Sequence, residues 1–231
     1  MATNEMLVSL AREVQLGNYR PAPFVLTKGR GCRVEDVEGR SYLDLSGGIA
    51  VLSVGHAHPK LAAAIAEQAA RLMHVSNLFY NDRAIELAAE LARRTPFDRI
   101  YFANSGTEAN EALLKLARRF HHDLGDVRRT GLVSTLGSFH GRTMGALSVT
   151  GQPKYHVGME PLVGGVVHVP YGDPGAMRDA IDDTTAAVIV EPIQAEGGII
   201  VGADDYLQGL RELCDARGAL LLFDEVQTGY G

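Results

Sequence analysis

The stretch "TAAVIVEPIQAEGGIIVGADDYLQGLRELCDARGALLLFDE", Thr185 to Glu225, decides how this chain reads. It opens and closes on continuous apolar runs, "TAAVIV" and "ALLLF", and carries an amphipathic helical pattern between them, residues 203–218. Apolar strands without alternation, separated by amphipathic helices, form a mostly parallel sheet covered on both faces. The same alternation runs outward to residue 98. "DRIYFA" (98–103), "GLVSTL" (131–136) and "GGVVHV" (164–169) read as strands; "GTEANEALLKLARRFHH" (106–122) and "DPGAMRDAI" (173–181) read as helices. The expected class is α/β, a mostly parallel sheet with flanking helices.

Before residue 98 the pattern differs. A helix-like arm precedes "CRVEDVEGRSYLDL" (32–45), whose alternation around Glu38-Gly39-Arg40 predicts a hairpin. Two Ala- and Leu-rich helical stretches follow, "HPKLAAAIAEQAARLMHV" (58–75) and "DRAIELAAELARRT" (82–95). Residues 1–55, arm and hairpin, are assigned to a small domain and residues 56–231 to a larger one.

Composition narrows the function. The chain has 231 residues, 46% of them hydrophobic, with 22 basic against 28 acidic side chains and a net charge of −6. Without a basic block, neither nucleic acid nor an anionic membrane is an expected partner. Two isolated cysteines, Cys32 and Cys214, fit a reducing compartment, and the first twenty residues lack the apolar run of a signal peptide. A cytoplasmic protein is expected. His56 and His58 in "GHAHP" have H-x-H spacing, but no carboxylate or cysteine close in sequence completes a set, so no metal site is assigned.

In parallel sheets ligands sit beyond the carboxyl ends of the strands, so the polar residues there carry the chemistry. Four such segments converge: "NSGTE" (104–108), "GSFHGRT" (137–143), "EPIQAEGG" (191–198) and "DEVQTG" (224–229). Ser105 and Glu108 make a capping box, while Gly106 clears the backbone and Thr107 adds a hydroxyl, a natural setting for a phosphate. Phe139 offers a ring for a planar ligand to stack on, and Arg142 a fork for a carboxylate. Glu191 emerges where Pro192 ends a strand, and Glu196 lies on a Gly-rich loop. Asp224 follows four apolar residues and needs a cation to offset its desolvation. A protonated ring nitrogen meets that need, and phosphate cradle, stacking ring and carboxylate together describe pyridoxal phosphate.

With these residues in view, "GGIAVLSVGHAHP", "NSGTEANEALLKLAR", "FHGRTMGALSVTGQPKY", "EPIQAEGG" and "LLLFDEVQTG" resemble the class III pyridoxal-phosphate aminotransferases, of the aspartate-aminotransferase fold. "SNLFYN" and "FANSGTEANE" most resemble the acetylornithine and ornithine members, and "GGIAVL" the 4-aminobutyrate members. The resemblance implies transfer of an amino group from N-acetylornithine, or a similar terminal-amino donor, to 2-oxoglutarate by a homodimer. It implies that Ser105, Gly106 and Thr107 hold the cofactor phosphate. Phe139, with His140 beside it, would stack on the ring, Asp224 would hold the ring nitrogen, and Gln227 the phenolic oxygen. Arg142 would grip the substrate α-carboxylate, Glu196 would gate substrate entry, and Tyr80 would line the substrate site across the dimer interface. Asp224 and Glu191 are the expected catalytic carboxylates. Ala195 stands where the family has glycine, an expected restraint on the loop carrying Glu196. The family's Schiff-base lysine lies C-terminal to the "DEVQTG" segment. Lys28, Lys60, Lys115 and Lys154 all precede it and match no catalytic position, so these residues are expected to be the N-terminal portion of an enzyme. The rival of another class is a non-catalytic protein built on this half-fold.

Overall fold

The computed structural model describes residues 2–229. The chain forms two compact units that divide between Asp98 and Arg99.

In the first unit, helix α1 (Asn4–Val14) starts at Thr3, whose hydroxyl accepts the Met6 N–H. Strands β1 (Leu26–Arg30), β2 (Arg33–Asp36) and β3 (Ser41–Leu43) form an antiparallel sheet in that order. The expected hairpin is β2–β3, turning at Gly39 with φ +84°; β1 adds a strand that alternation did not reveal. One buried carboxylate, Asp36, ties these parts together. It accepts the Arg40 N–H (2.9 Å) and Glu38 N–H (3.0 Å) in the turn, the Tyr42 hydroxyl (2.8 Å) on β3, and the Asn4 amide (3.0 Å) on α1. A single turn, α2 (Gly47–Ala50), then runs through left-handed backbone, with φ +64° at Ile49 and +62° at Ala50, a conformation costly for residues with a Cβ. Asp44 braces it by accepting the Ser46 and Gly47 N–H groups and pairs with His56 Nε2 at 2.7 Å. The carboxylate missing from the sequence neighbourhood of His56 is thus supplied from twelve residues upstream, as a hydrogen-bond partner. Helices α3 (Pro59–Arg71) and α4 (Asp82–Arg94) follow, the latter capped by Asn81.

The second unit holds α5 (Gly106–Asp123), β4 (Gly131–Thr135), α6 (Met144–Val149), β5 (Val166–Val169), α7 (Pro174–Ala180), β6 (Thr185–Val190), the short pair β7 (Ile193–Gln194) and β8 (Ile200–Val201), α8 (Tyr206–Arg217) and β9 (Leu220–Phe223). The main sheet is parallel throughout, in the order β5-β4-β6-β9. β6 is central, and every residue in it is buried, which is why its sequence is apolar without alternation. Its side chains nonetheless divide by face. Val188 and Val190 pack with Met177, Ile181, Leu210 and Cys214 under α7 and α8; Ala187 and Ile189 pack with Leu114, Ala117 and Val149 under α5 and α6. Each of the valine, leucine, isoleucine and methionine side chains among them contributes roughly 1.5–3 kcal/mol by leaving water.

From β4 the chain crosses to β5 on one side, then returns to β6 on the other. The strand order therefore reverses at β4, and a crevice opens beyond its carboxyl end. The expected strand at residues 98–103 does not form. A strand exists only through its ladder, and no strand of the described residues pairs with this segment, so Tyr101 and Phe102 stay exposed. Helix α6, six residues long, was too short to show a period.

Leu210→Ala should cost the intact protein about 2–5 kcal/mol, because a fully buried side chain leaves a cavity. Leu116→Ala, on the exposed face of α5, should stay within about 0.5 kcal/mol. Urea unfolding of both variants checks this; equal losses would contradict the assigned core.

Candidate functional site

The site is built where the carboxyl ends of β4, β6 and β9 meet the first turns of α5. Asp224 leaves β9 buried, at 7% exposure, and its N–H still donates to Val190 O (2.9 Å), continuing the ladder. Its Oδ2 accepts from Asn110 Nδ2 (2.8 Å) and pairs with His140 Nδ1 (2.8 Å); its Oδ1 accepts the Val226 N–H (3.1 Å). A carboxylate has about four acceptor positions, so three donors leave room on Oδ1 for one more. Burial pushes the Asp224 pKa up, yet the His140 hydrogen bond and charge, with Asn110 and the Val226 N–H, outweigh it and hold the group below the ordinary carboxylate value.

Asn110 also donates to His140 O (2.8 Å), and the His140 N–H donates to Thr150 Oγ1 (2.9 Å). His140 is thus fixed at both backbone groups, and its ring is fully buried with Nε2 unpaired among the described residues. The next residue back, Phe139, donates its N–H to Glu191 Oε2 (3.1 Å), while Ala195 N–H reaches Glu191 Oε1 (3.3 Å). Glu191 therefore ties the loop after β4 to the loop after β6. Burial pushes its pKa above the ordinary value, only partly opposed by the Phe139 N–H and the His140 charge. The Arg142 guanidinium lies 5.7 Å from the Phe139 ring centre and 5.6 Å from that of Tyr155, within cation–π range of both.

At the start of α5 the capping box forms with one change. Ser105 Oγ accepts the Glu108 N–H (3.3 Å), but the Glu108 carboxylate reaches back to the Asn104 N–H rather than to that of Ser105. Gly106 and Thr107 are the first two residues of the helix, and their N–H groups have no acceptor among the described residues. A Cβ at Gly106 would come within 2.8 Å of the Val226 side chain, two residues after Asp224. Gly141, at φ +121°, is required because a Cβ would strike the Thr107 side chain. These close approaches bring helix start, His140 loop and Asp224 together.

The structure thus unites Thr107, Phe139, His140, Arg142, Glu191 and Asp224, with Ser105 and Gly106 at the helix start. Gln227 is exposed just beyond Asp224, and Glu196 is exposed in the turn between β7 and β8. Tyr80 lies in the other unit, 94% exposed. Ala195 does not adopt the left-handed backbone that would call for glycine. Sequence reasoning missed Asn110 and Thr150. Asn110 stands four residues past Gly106 on the same helix face as the site, the one signal that pointed to it.

A sheet of this topology with these strand-end residues defines an aminotransferase of class III, and the family model for that class matches residues 15–231: the chain belongs to it. Pyridoxal 5'-phosphate is the family's cofactor, and the fold is that of the aspartate-aminotransferase type. Over its whole length the chain is 51% identical to the acetylornithine aminotransferase of Myxococcus xanthus, of which it covers 57%. It is 50% identical over 93% of its length to a succinylornithine transaminase/acetylornithine aminotransferase of Pseudomonas aeruginosa, covering 53% of that protein. The solved ornithine aminotransferase of Toxoplasma gondii, described with partial occupancy of PLP at its active site, superimposes with a TM-score of 0.93 at 35% identity, over 98% of this chain and 54% of that one. The chain spans a little over half the length of the curated relatives it matches. No helix among the described residues is long and apolar enough to cross a membrane.

Replacing His140 with Ala should raise the Asp224 pKa, since burial then acts with less opposition. Because the native value is depressed, the stabilisation from Asp224 is present above the unfolded carboxylate pKa and lost as pH falls through the folded one. In the variant that loss should begin at higher pH. Carboxyl carbon NMR shifts of labelled aspartate should show the midpoint moving up; an unmoved midpoint would mean that His140 does not hold Asp224 ionised.

Proposed function

We propose that this chain is the cofactor-holding portion of a transaminase that moves an amino group from N-acetylornithine, or a similar terminal-amino substrate, to 2-oxoglutarate in the cytoplasm. The observation that carries this reading is a buried carboxylate kept ionised, with one acceptor position left open, beside unpaired helix N–H groups. Those features fit pyridoxal phosphate. Ser105, Gly106 and Thr107 offer donors to its phosphate, and the glycines at 106 and 141 keep side chains out of the space. When bound, the cofactor supplies an electron-withdrawing ring that stabilises negative charge developing at the carbon bearing the transferred amino group.

The chain's own residues sustain that chemistry. Asp224 holds a proton on the ring nitrogen, because a nearby anion favours the charged form of its partner. Asn110 and His140 fix the carboxylate in place, and Glu191 accepts the Phe139 N–H, which would hold Phe139 for stacking on the ring. Arg142, lodged over two aromatic rings, presents its fork to the donor's α-carboxylate and, in the second half-reaction, to a carboxylate of 2-oxoglutarate. Gln227 bonds the phenolic oxygen, and Glu196, on its exposed turn, gates substrate entry. Tyr80 reaches the substrate site of a second copy in a homodimer, with residues 1–55 in the small domain and 56–231 in the large one.

Relatives named for acetylornithine at about half identity support that donor over 4-aminobutyrate, whose amine is equally terminal. The lysine that anchors the cofactor is not among Lys28, Lys60, Lys115 and Lys154, so residues 1–231 alone should transfer no amino group and trap no cofactor at a unique lysine under borohydride.

In the intact protein, N-acetylornithine should exceed 4-aminobutyrate in kcat/KM. Asp224→Asn should lower turnover about 10²–10³-fold, as expected when a preorganised charge is removed. Arg142→Lys should raise KM for both donor and 2-oxoglutarate about tenfold, since a point charge replaces a planar fork. Near-normal turnover in the first variant, or unchanged KM values in the second, would contradict the assigned roles.

A further inference from the structure

Tyr155 carries no role in the site described so far, yet its ring meets two residues that do. Its ring centre lies 6.0 Å from that of Phe139, with the planes at 73°, and 5.6 Å from the guanidinium carbon of Arg142. That carbon is 5.7 Å from the Phe139 ring centre. Three nearly equal distances make a triangle, with the guanidinium in the corner between two steeply inclined rings. Aromatic faces carry partial negative charge, so each ring attracts the cation. Arg142 nevertheless remains exposed, so the rings flank the side chain without enclosing it.

The turn that carries Tyr155 is pinned on both sides. It is a single tight turn, Pro153–Tyr155, closed by the Tyr155 N–H on Gln152 O (3.0 Å). Just before it, Gln152 Nε2 donates to the carbonyl of Ser138 (3.2 Å), the residue preceding Phe139. Just after it, His156 Nε2 donates to Thr150 O (2.8 Å) and Leu147 O (3.1 Å). Thr150 is the residue whose hydroxyl accepts the His140 N–H. Tyr155 is therefore half-buried on a fixed base, whereas Arg142 has a long side chain rich in rotamers. Lys154 Nζ is a second cation on the Tyr155 ring, 4.8 Å from its centre.

We propose that Tyr155 is a positioning residue for the substrate carboxylate: its ring, with that of Phe139, holds the Arg142 guanidinium in place before substrate arrives. The proposal rests on Arg142 gripping that carboxylate, and it adds a residue that touches neither cofactor nor substrate. An arginine free to sample its rotamers gives them up on binding, and that lost entropy is subtracted from affinity. A ring that orders the side chain beforehand removes this cost. Both half-reactions present a carboxylate to Arg142, so the effect falls on both substrates, and on KM rather than kcat. Phe139 has the cofactor ring to serve as well, which makes Tyr155 the wall that can be varied without touching the cofactor.

The test is the Kd of glutarate for the intact, cofactor-loaded protein, measured by titration calorimetry. Glutarate is a dicarboxylate with neither an amino nor a keto group, so it binds without reacting. Tyr155→Leu should weaken it about fivefold, the equivalent of a cation–π contact at a partly exposed site. The same variant should raise KM for the amino donor and for 2-oxoglutarate together, with kcat little changed. Tyr155→Phe keeps the ring and should stay within about twofold. Fluorinating that phenylalanine ring step by step withdraws charge from its face while nearly keeping its shape, so Kd should rise with each fluorine. This series reads the charge of the ring rather than its packing, and it serves even where Tyr155→Leu fails to fold. A Kd indifferent to fluorination, or a fall in kcat with unchanged KM, overturns the proposal. So does a loss in Lys154→Ala equal to that in Tyr155→Leu, since the ring would then act through Lys154. Arg142→Ala separates the two layers: if it leaves glutarate binding unchanged, the carboxylate assignment itself is wrong.

Discussion

A carboxylate taken out of water must be compensated or it will take up a proton, and Asp224 is where this chain meets that constraint. The answer involves three elements that are remote in sequence. Asn110 comes from the second turn of α5, His140 from the loop after β4, and Asp224 from the end of β9. Each bond is ordinary in length. Their joint effect is to hold an anion at the floor of the crevice, where the apolar faces of β6 and its helices would otherwise favour the neutral acid. Removing either donor leaves a buried charge short of a partner, which costs more than the bond itself contributes.

The rest of the site follows from keeping these parts in register. Glu191 joins the loops after β4 and β6, Thr150 accepts the His140 N–H, and Glu111 fastens the next segment to α5. Gly141 stands where backbone approaches Thr107 too closely for any Cβ, and the glycines at 106 and 145 face the side chains of Val226 and Glu111 at close range. Polar clamps and glycine gaps are complementary: the clamps need short distances, and the gaps permit them. In the proposed function the clamps lie where the cofactor's phosphate and ring nitrogen would bind, while Glu196, the proposed substrate gate, is exposed.

Much of this was legible in the sequence, for identifiable reasons. Continuous apolar runs gave β4, β5, β6 and β9 because a central parallel strand must be apolar on both faces. The polar residues at their ends then had to converge, since parallel strands place their carboxyl ends together. The strand expected at 98–103 failed because strand formation depends on a partner that local composition does not encode. Helix α6 escaped notice because six residues hold less than two turns. Asn110, Glu111 and Thr150 were passed over as ordinary positions on amphipathic segments; only tertiary packing reveals that their polar groups face inward. The capping box at Ser105 was read correctly as a motif, yet Glu108 selects Asn104 as its partner, a choice made by the turn geometry.

The central claim is that Asp224 stays ionised in order to hold a proton on the cofactor ring. The most direct measurement is the nitrogen-15 chemical shift of ring-labelled pyridoxal phosphate bound to the intact protein, followed as pH is raised. The account predicts a protonated ring nitrogen persisting to pH values well above those at which the free cofactor loses that proton. A ring nitrogen that is unprotonated at neutral pH, with Asp224 in place, would contradict it.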